Sequence, residues 1–156
     1  MENSSLPQPD FVVPHTLCLA NSFKKWTGAD LLTGNFPSAE LAEKLFHAPF
    51  VVVSHGTQAD PILNYGNRAA LALWELPWDE FIRTPSRLTA EAPRREDRAR
   101  LLEQVTRRGF IDNYSGIRIS RSGRRFEISR AIVWNLLSAT GEPCGQAATF
   151  SEWKFV

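Results

Sequence analysis

From Phe50 to Leu76 the chain reads FVVVSHGTQADPILNYGNRAALALWEL. Phe50 to Ser54 is a β-branched run, the kind of side chain that packs on a pleated surface, and His55 to Pro61 supplies turn chemistry before Ile62 to Tyr65 resumes an extended pattern. A hairpin follows. Gly66 then frees the backbone, and Asn67 has the side chain to accept a hydrogen bond from an orphan amide of the next segment, where Ala69, Ala70, Leu71, Ala72 and Leu73 are strong helix formers. Two strands therefore feed a helix through an asparagine cap, and the rest of the chain is read around that unit.

On the amino-terminal side, Met1 to Asp10 holds two prolines and several small polar residues, and residues 1–13 are read as a flexible leader. From Pro14 to Thr27, Leu19, Phe23 and Trp26 recur at helical spacing, with Gly28 as a stop. After Gly34-Asn35-Phe36-Pro37, Ser38 is the expected cap of a second helix with Leu41, Leu45 and Ala48 on one face and Glu40 a turn before Lys44. Residues 14–48 thus form a helical extension ahead of a domain at 49–156. Beyond the Asn67 helix, Pro77 and Pro85 confine Trp78 to Ile82 to a short helical turn. Pro93 is expected to open a longer helix in which Leu101, Leu102 and Val105 face inward, with acidic residues first, Arg107 and Arg108 last, and Gly109 just past the end.

The last third reads as β-structure. Phe110 to Ser120 and Arg125 to Leu137 flank a Ser122-Gly123 turn, and Cys144 to Trp153 is expected as one closing strand. On the middle strand, alternation places Phe126, Ile128, Ile132, Trp134 and Leu136 on one face with Arg130 as the polar exception. The preceding strand keeps a single apolar face only if Gly116 marks a bulge that aligns Phe110 and Tyr114 with Ile117 and Ile119.

The 156 residues suit one domain with one core, and 43% of them are hydrophobic. A net charge of +1 gives no global field for nucleic acid or anionic membrane, and the arginines between Arg83 and Arg125 are interspersed with acids, which argues against nucleic acid as a partner. Cys18 and Cys144 lie far apart among apolar and small residues, as buried thiols of a reducing, cytoplasmic setting do. No signal-peptide pattern or membrane-length apolar run is present, so the chain is expected to be soluble and unexported.

The order strand, strand, short helices, helix and three strands resembles a PAS domain. More narrowly, residues 51–76 (VVVSHGTQADPILNYGNRAALALWEL), 115–128 (SGIRISRSGRRFEI) and 134–153 (WNLLSATGEPCGQAATFSEW) resemble the MEKHLA domain, a PAS-related family, in its small stand-alone bacterial form with a helical extension. The family also supplies a carboxy-terminal module to plant homeodomain-leucine-zipper factors, and this chain contains neither homeodomain nor zipper. The resemblance implies an α+β fold with a five-stranded antiparallel sheet, short helices on one face, and a sensory or interaction role through a homodimer. That functional step is an analogy of folds.

PAS domains hold ligands between sheet and helices, and on that likeness Tyr65, Asn67, Arg130, Trp134, Gln146 and Thr149 are the candidate ligand contacts. Arg130 would take a ligand carboxylate bidentately, or else pair with Asp112 or face water. Gln146 resembles the glutamine that reads the flavin edge in flavin-binding PAS proteins. The chain lacks the Asn-Cys-Arg-Phe-Leu-Gln motif of the photoreactive cysteine, which disfavours covalent flavin and leaves only the non-covalent kind. Haem is disfavoured because the long helix has no histidine, and His15, His47 and His55 have no zinc-ligand spacing. His55 is read as a turn residue. Two rival readings are a cone-shaped α+β isomerase or dehydratase using His55 with Asp60 or Asp112, and a ligand-free interaction domain with a filled core.

Overall fold

The computed structural model describes residues 6–90 and 95–156. Twelve elements follow one another: α1 (Pro9–Thr27), α2 (Ser38–Phe46), β1 (Val51–His55), β2 (Leu63–Gly66), α3 (Arg68–Trp74), α4 (Trp78–Phe81), a 3-10 turn (Ser86–Thr89), α5 (Arg95–Arg108), β3 (Phe110–Ile119), β4 (Arg125–Leu137), β5 (Pro143–Phe150) and β6 (Glu152–Phe155). The strands make one antiparallel sheet in the order β2-β1-β5-β4-β3, with β6 also pairing β4. This is the α+β, PAS-like arrangement expected from the sequence.

The opening hairpin and its cap form as the residues dictate. Val53 faces Gly66 and Ser54 faces Tyr65 across β1 and β2. The Asn67 side chain accepts from the Ala70 amide at the start of α3 (3.2 Å), satisfying one of the donors a helix leaves open there. That side chain, fully buried, also accepts from the Val52 amide (3.1 Å) and donates to the carbonyls of Phe50 (2.8 Å) and Leu45 (3.1 Å).

The helices before the hairpin cover the sheet face opposite α3 to α5. Helix α1 begins at Pro9 rather than at Pro14, because Pro9 takes a first-turn position and Val12, Thr16, Leu19 and Phe23 form one buried stripe that pulls in the turn before Pro14. The leader therefore ends well short of residue 13, and Leu6 is already buried. Phe23 packs edge-on against Trp134 of β4 (4.9 Å), whose indole donates to the Leu19 carbonyl, while Trp26 donates to the Asn135 carbonyl (2.9 Å). Gly28, at φ 78°, ends α1 as expected. Pro37, not Ser38, occupies the cap position of α2 and makes no side-chain bond, and Ala42, Leu45 and Phe46 form its buried face. The Sγ atoms of Cys18 on α1 and Cys144 on β5 lie 3.6 Å apart, and burial with the neighbouring thiol pushes the Cys18 thiol up to about 11.

The final strands differ from simple alternation. Between Ile111 and Tyr114, β3 holds one residue more than β4, and between Ile128 and Ala131, β4 holds one more than β3. Asn113 (φ 60°) and Arg130 (φ 56°) sit in these two offsets in the left-handed region. The bulge residues are therefore these two, and Gly116 lies back in register opposite Ile128. Each offset swaps faces. On β4, Phe126 and Ile128 share the helix-facing side with Ala131 and Val133, while Ile132, Trp134 and Leu136 face α1 and α2. On β3 the inward row past the bulge is Tyr114, Gly116 and Arg118 instead of the isoleucines. The expected single closing strand is two strands, β5 and β6, which keep one register along β4 and break opposite Arg130.

Helix α5 buries Leu101 and Val105 against Val133, and Gly109 (φ 94°) follows it. Pro93 lies outside the described residues, as does the Leu102 side chain.

Candidate functional site

The helix-facing side of the sheet, roofed by α3, α4, the 3-10 turn and α5, encloses a partly open cavity of about 70 Å³. Its aromatic wall is Trp74, set edge-on to Phe126 (5.3 Å), Phe150 (6.2 Å) and Phe81 (6.3 Å). Ile128, Ala131 and Val133 of β4 form an aliphatic floor, made possible because Ala131 and Ala148 withhold volume where larger residues would close the space.

Polar groups reach this cavity from several elements. Arg118 of β3 is buried, 8% exposed, and is held by its own backbone and by Tyr114: Nη2 donates to the Tyr114 hydroxyl (3.0 Å), Nη1 to the Ile117 carbonyl (3.2 Å), and the guanidinium lies 5.4 Å from the Tyr114 ring centre. No carboxylate among the described residues pairs with it. The Trp74 Nε1, on a residue 4% exposed, has no hydrogen-bond partner among the described residues. Ser54, His55, Ser86, Thr89 and Gln146 complete the polar lining, with His55 Nδ1 2.9 Å from the Gly56 carbonyl oxygen.

The expected contacts separate into three groups. Gln146 lines the cavity, and its Nε2 donates to Asn135 Oδ1 (2.9 Å) and Thr106 Oγ1 (3.2 Å), joining β5 to β4 and α5. Asn67, Tyr65 and Trp134 are wholly buried outside the lining: Asn67 is the cap described above, Tyr65 packs against His15 and Trp78, and Trp134 lies under α1. Thr149 donates to the Val51 carbonyl (2.8 Å) and is likewise outside the lining. Arg130 is turned to solvent by its positive φ, 75% exposed at the side chain and 3.7 Å from Glu152, so its place in the cavity and its pairing with Asp112 are both corrected. The buried arginine is Arg118, and it escaped the sequence because strict alternation hid the face swap at Asn113.

The acid-base constellation of the enzymatic reading does not assemble. Asp60 is an exposed partner of Arg87 (3.1 Å), and neither it nor Asp112 lines the cavity that His55 lines. A flavin does not fit: the cavity, walled by Trp74, Phe81 and Phe150, has room for about five waters, and Cys144 is paired with Cys18 against α1. No helix of the described residues is long and apolar enough to cross a membrane, and no group of three or more His, Cys, Asp or Glu among them is placed to hold a metal ion.

Solved structures share this architecture. The PAS domain of a protein from Colwellia psychrerythraea superimposes with a TM-score of 0.64 at 11% identity, covering 75% of this chain and 94% of that one. The light-state dimer of the fungal blue-light photoreceptor Vivid gives 0.60 at 12% identity over 97% of this chain and 100% of that one. At these identities the likeness is one of fold. In sequence, the chain is similar to the homeobox-leucine zipper protein ATHB-8 of Arabidopsis thaliana, 25% identical over 96% of the chain, and to HOX32 of Oryza sativa subsp. japonica, 25% identical over 91%. The chain spans only 18% and 17% of the length of these plant relatives, which do not bear out the small bacterial form expected from the sequence. The MEKHLA domain model matches residues 13–155, through both amino-terminal helices and the whole sheet, and the chain belongs to the MEKHLA domain family.

Proposed function

We propose that the protein is a sensory or regulatory module that takes a small molecule into the cavity between its sheet and α3 to α5 and reports occupancy through protein contacts. The observation that carries this reading is the cavity itself: a PAS-like fold leaves open space there, lined by a buried guanidinium, an indole N–H and an amide as well as by hydrocarbon. A filled interaction core has no use for the Trp74 N–H left without an acceptor among the described residues, since a buried polar group without a partner costs about 1–3 kcal/mol. Helix α5 is the natural reporter, for it contributes Leu101 to the lining and is tied to the sheet mainly through Val105, Asn135 and Gln146. A homodimer and a cytoplasmic setting belong to the same reading, the latter suiting two free thiols.

The test is native mass spectrometry of the freshly purified full chain, followed by a thermal-shift screen of small metabolites and hydrogen exchange on any hit. The expected result is a small-molecule adduct or a saturable rise in Tm, with added protection in α5 and β3. A protein that carries no adduct and answers no compound overturns the reading in favour of the interaction domain.

A further inference from the structure

Resting on that reading, we propose that the occupant is a small carboxylic acid, its carboxylate held by Arg118 and by the indole N–H of Trp74. Burial of a cation without a counter-charge is among the costliest arrangements a core contains, and the usual remedy is a carboxylate partner. Arg118 is 8% exposed, and none of the described carboxylates serves it. Glu75, at the end of α3, is committed elsewhere: its Oε1 accepts from the Ser120 hydroxyl (3.1 Å) and the Ser122 amide (3.0 Å) at the β3–β4 turn, and these bonds hold its carboxyl below the ordinary range. A guanidinium carries five N–H donors, and this one engages two of them, with the Tyr114 hydroxyl and the Ile117 carbonyl. The rest remain available to a planar acceptor, and a carboxylate matches that fork two oxygens at a time.

A second donor in the same lining comes from a different element, α3. The Trp74 Nε1 is buried, lines the same cavity and meets no acceptor among the described residues, although indole nitrogens in cores ordinarily find one. Two donors without matching acceptors define the chemistry of what is missing: an anion or a strong acceptor. Size and lining narrow it further. A space of about 70 Å³ walled by Ile128, Ala131, Val133 and Phe150 takes a short hydrocarbon of about four to six non-hydrogen atoms in all. Inorganic phosphate, doubly charged and strongly hydrated, would find only one cation and mostly apolar wall.

The experiment is calorimetric titration of the full chain with butyrate, pyruvate and propionate, with the neutral isostere butyramide and inorganic phosphate as comparators, repeated on Arg118→Gln, Arg118→Lys and Trp74→Phe. The expected pattern is saturable binding of at least one acid and a Kd for butyramide at least about tenfold higher. Arg118→Gln should raise the acid's Kd by about tenfold or more while leaving butyramide unchanged, and Arg118→Lys should fall between. Trp74→Phe keeps an aromatic side chain but removes the donor together with part of the indole, so the acid's Kd relative to that of the hydrocarbon-matched butyramide reads the second contact even if a variant at position 118 folds poorly. Equal binding of acid and amide, or acid binding unaffected by all three substitutions, overturns the carboxylate while the ligand cavity stands. Preference for phosphate also overturns it. If none of these probes binds, the carboxylate is overturned, and the native mass spectrum and thermal-shift screen decide separately whether the cavity reading stands.

Discussion

Asn67 concentrates four hydrogen bonds from three parts of the chain in a side chain with no exposure, so its loss is felt at once by β1, α2 and α3. Replacing it by Ala leaves the Val52 and Ala70 amides and the Phe50 carbonyl without this partner, while the Leu45 carbonyl still accepts from the Ala48 amide, and we expect a loss of about 3 kcal/mol in urea unfolding. Asp would restore the acceptor but not the donors. Tyr65 is its converse: the phenol is buried, burial raises its pKa well above the ordinary value, and its hydroxyl has no partner among the described residues. Tyr65→Phe should therefore be neutral or stabilising by up to about 1 kcal/mol in the same measurement, the reverse of what loss of a satisfied hydroxyl does. Asn67 was legible in the sequence because capping is local: an amide side chain just ahead of a run of alanines has little else to do. Arg118 was not legible. Its inward aim depends on an extra residue at Asn113, and nothing in Asp112-Asn113-Tyr114 announces a left-handed residue in a strand, whereas Gly116 advertised a bulge that lies elsewhere.

At the level of elements, the contact between α1 and the hairpin contains a titratable group. His15 Nε2 lies 2.9 Å from Ser54 Oγ, its ring stacks on Phe11 and approaches Tyr65, and burial lowers its pKa from 6.5 to about 4. Between those values the unfolded chain binds a proton that the folded chain refuses, so stability rises with pH from about 4 to about 6.5 and is flat above. Because the ring is only part-buried, the contribution is discounted to about 2 kcal/mol at most. We expect thermal unfolding of His15→Gln to show a shallower slope in that window than the parent protein. Helix order, the hairpin and the turn at Gly123 could all be read from periodicity and breakers. The start of α1 could not, since a proline inside a helix at Pro14 is tolerated only because the stripe from Val12 to Phe23 packs on the sheet.

Taken whole, the molecule is three layers, with α1 and α2 on one side of the sheet and α3 to α5 on the other. The outer layer covers Trp134 and Leu136, both fully buried, so the amino-terminal helices are part of the core and not an appendage. Removing residues before Ser38 uncovers the seats of Val12, Leu19 and Phe23, each contributing about 1.5–3 kcal/mol when fully buried, against a typical total of about 5–15 kcal/mol. Light scattering after size exclusion should show that truncated protein as aggregates; a well-folded species with the parent's mass and Tm would contradict the layered core. The same layering explains why the place of α1 was beyond the sequence: a helix with Phe23 and Trp26 on one face announces that it covers something, but not whether the cover is its own sheet or a second copy.

The close thiols of Cys18 and Cys144 give this arrangement a chemical handle. Diamide would take up two electrons and two protons as the sulfurs join, closing a loop that embraces nearly the whole domain and adding roughly 4–5 kcal/mol by loop-closure entropy. With the Cys18 thiol pushed up to about 11, joining should be slow at neutral pH and quicken in alkali, which peptide mapping of the cross-link would follow. Once stapled, the first helix can no longer part from the closing strand, and a response that survives the staple must run through the opposite layer alone.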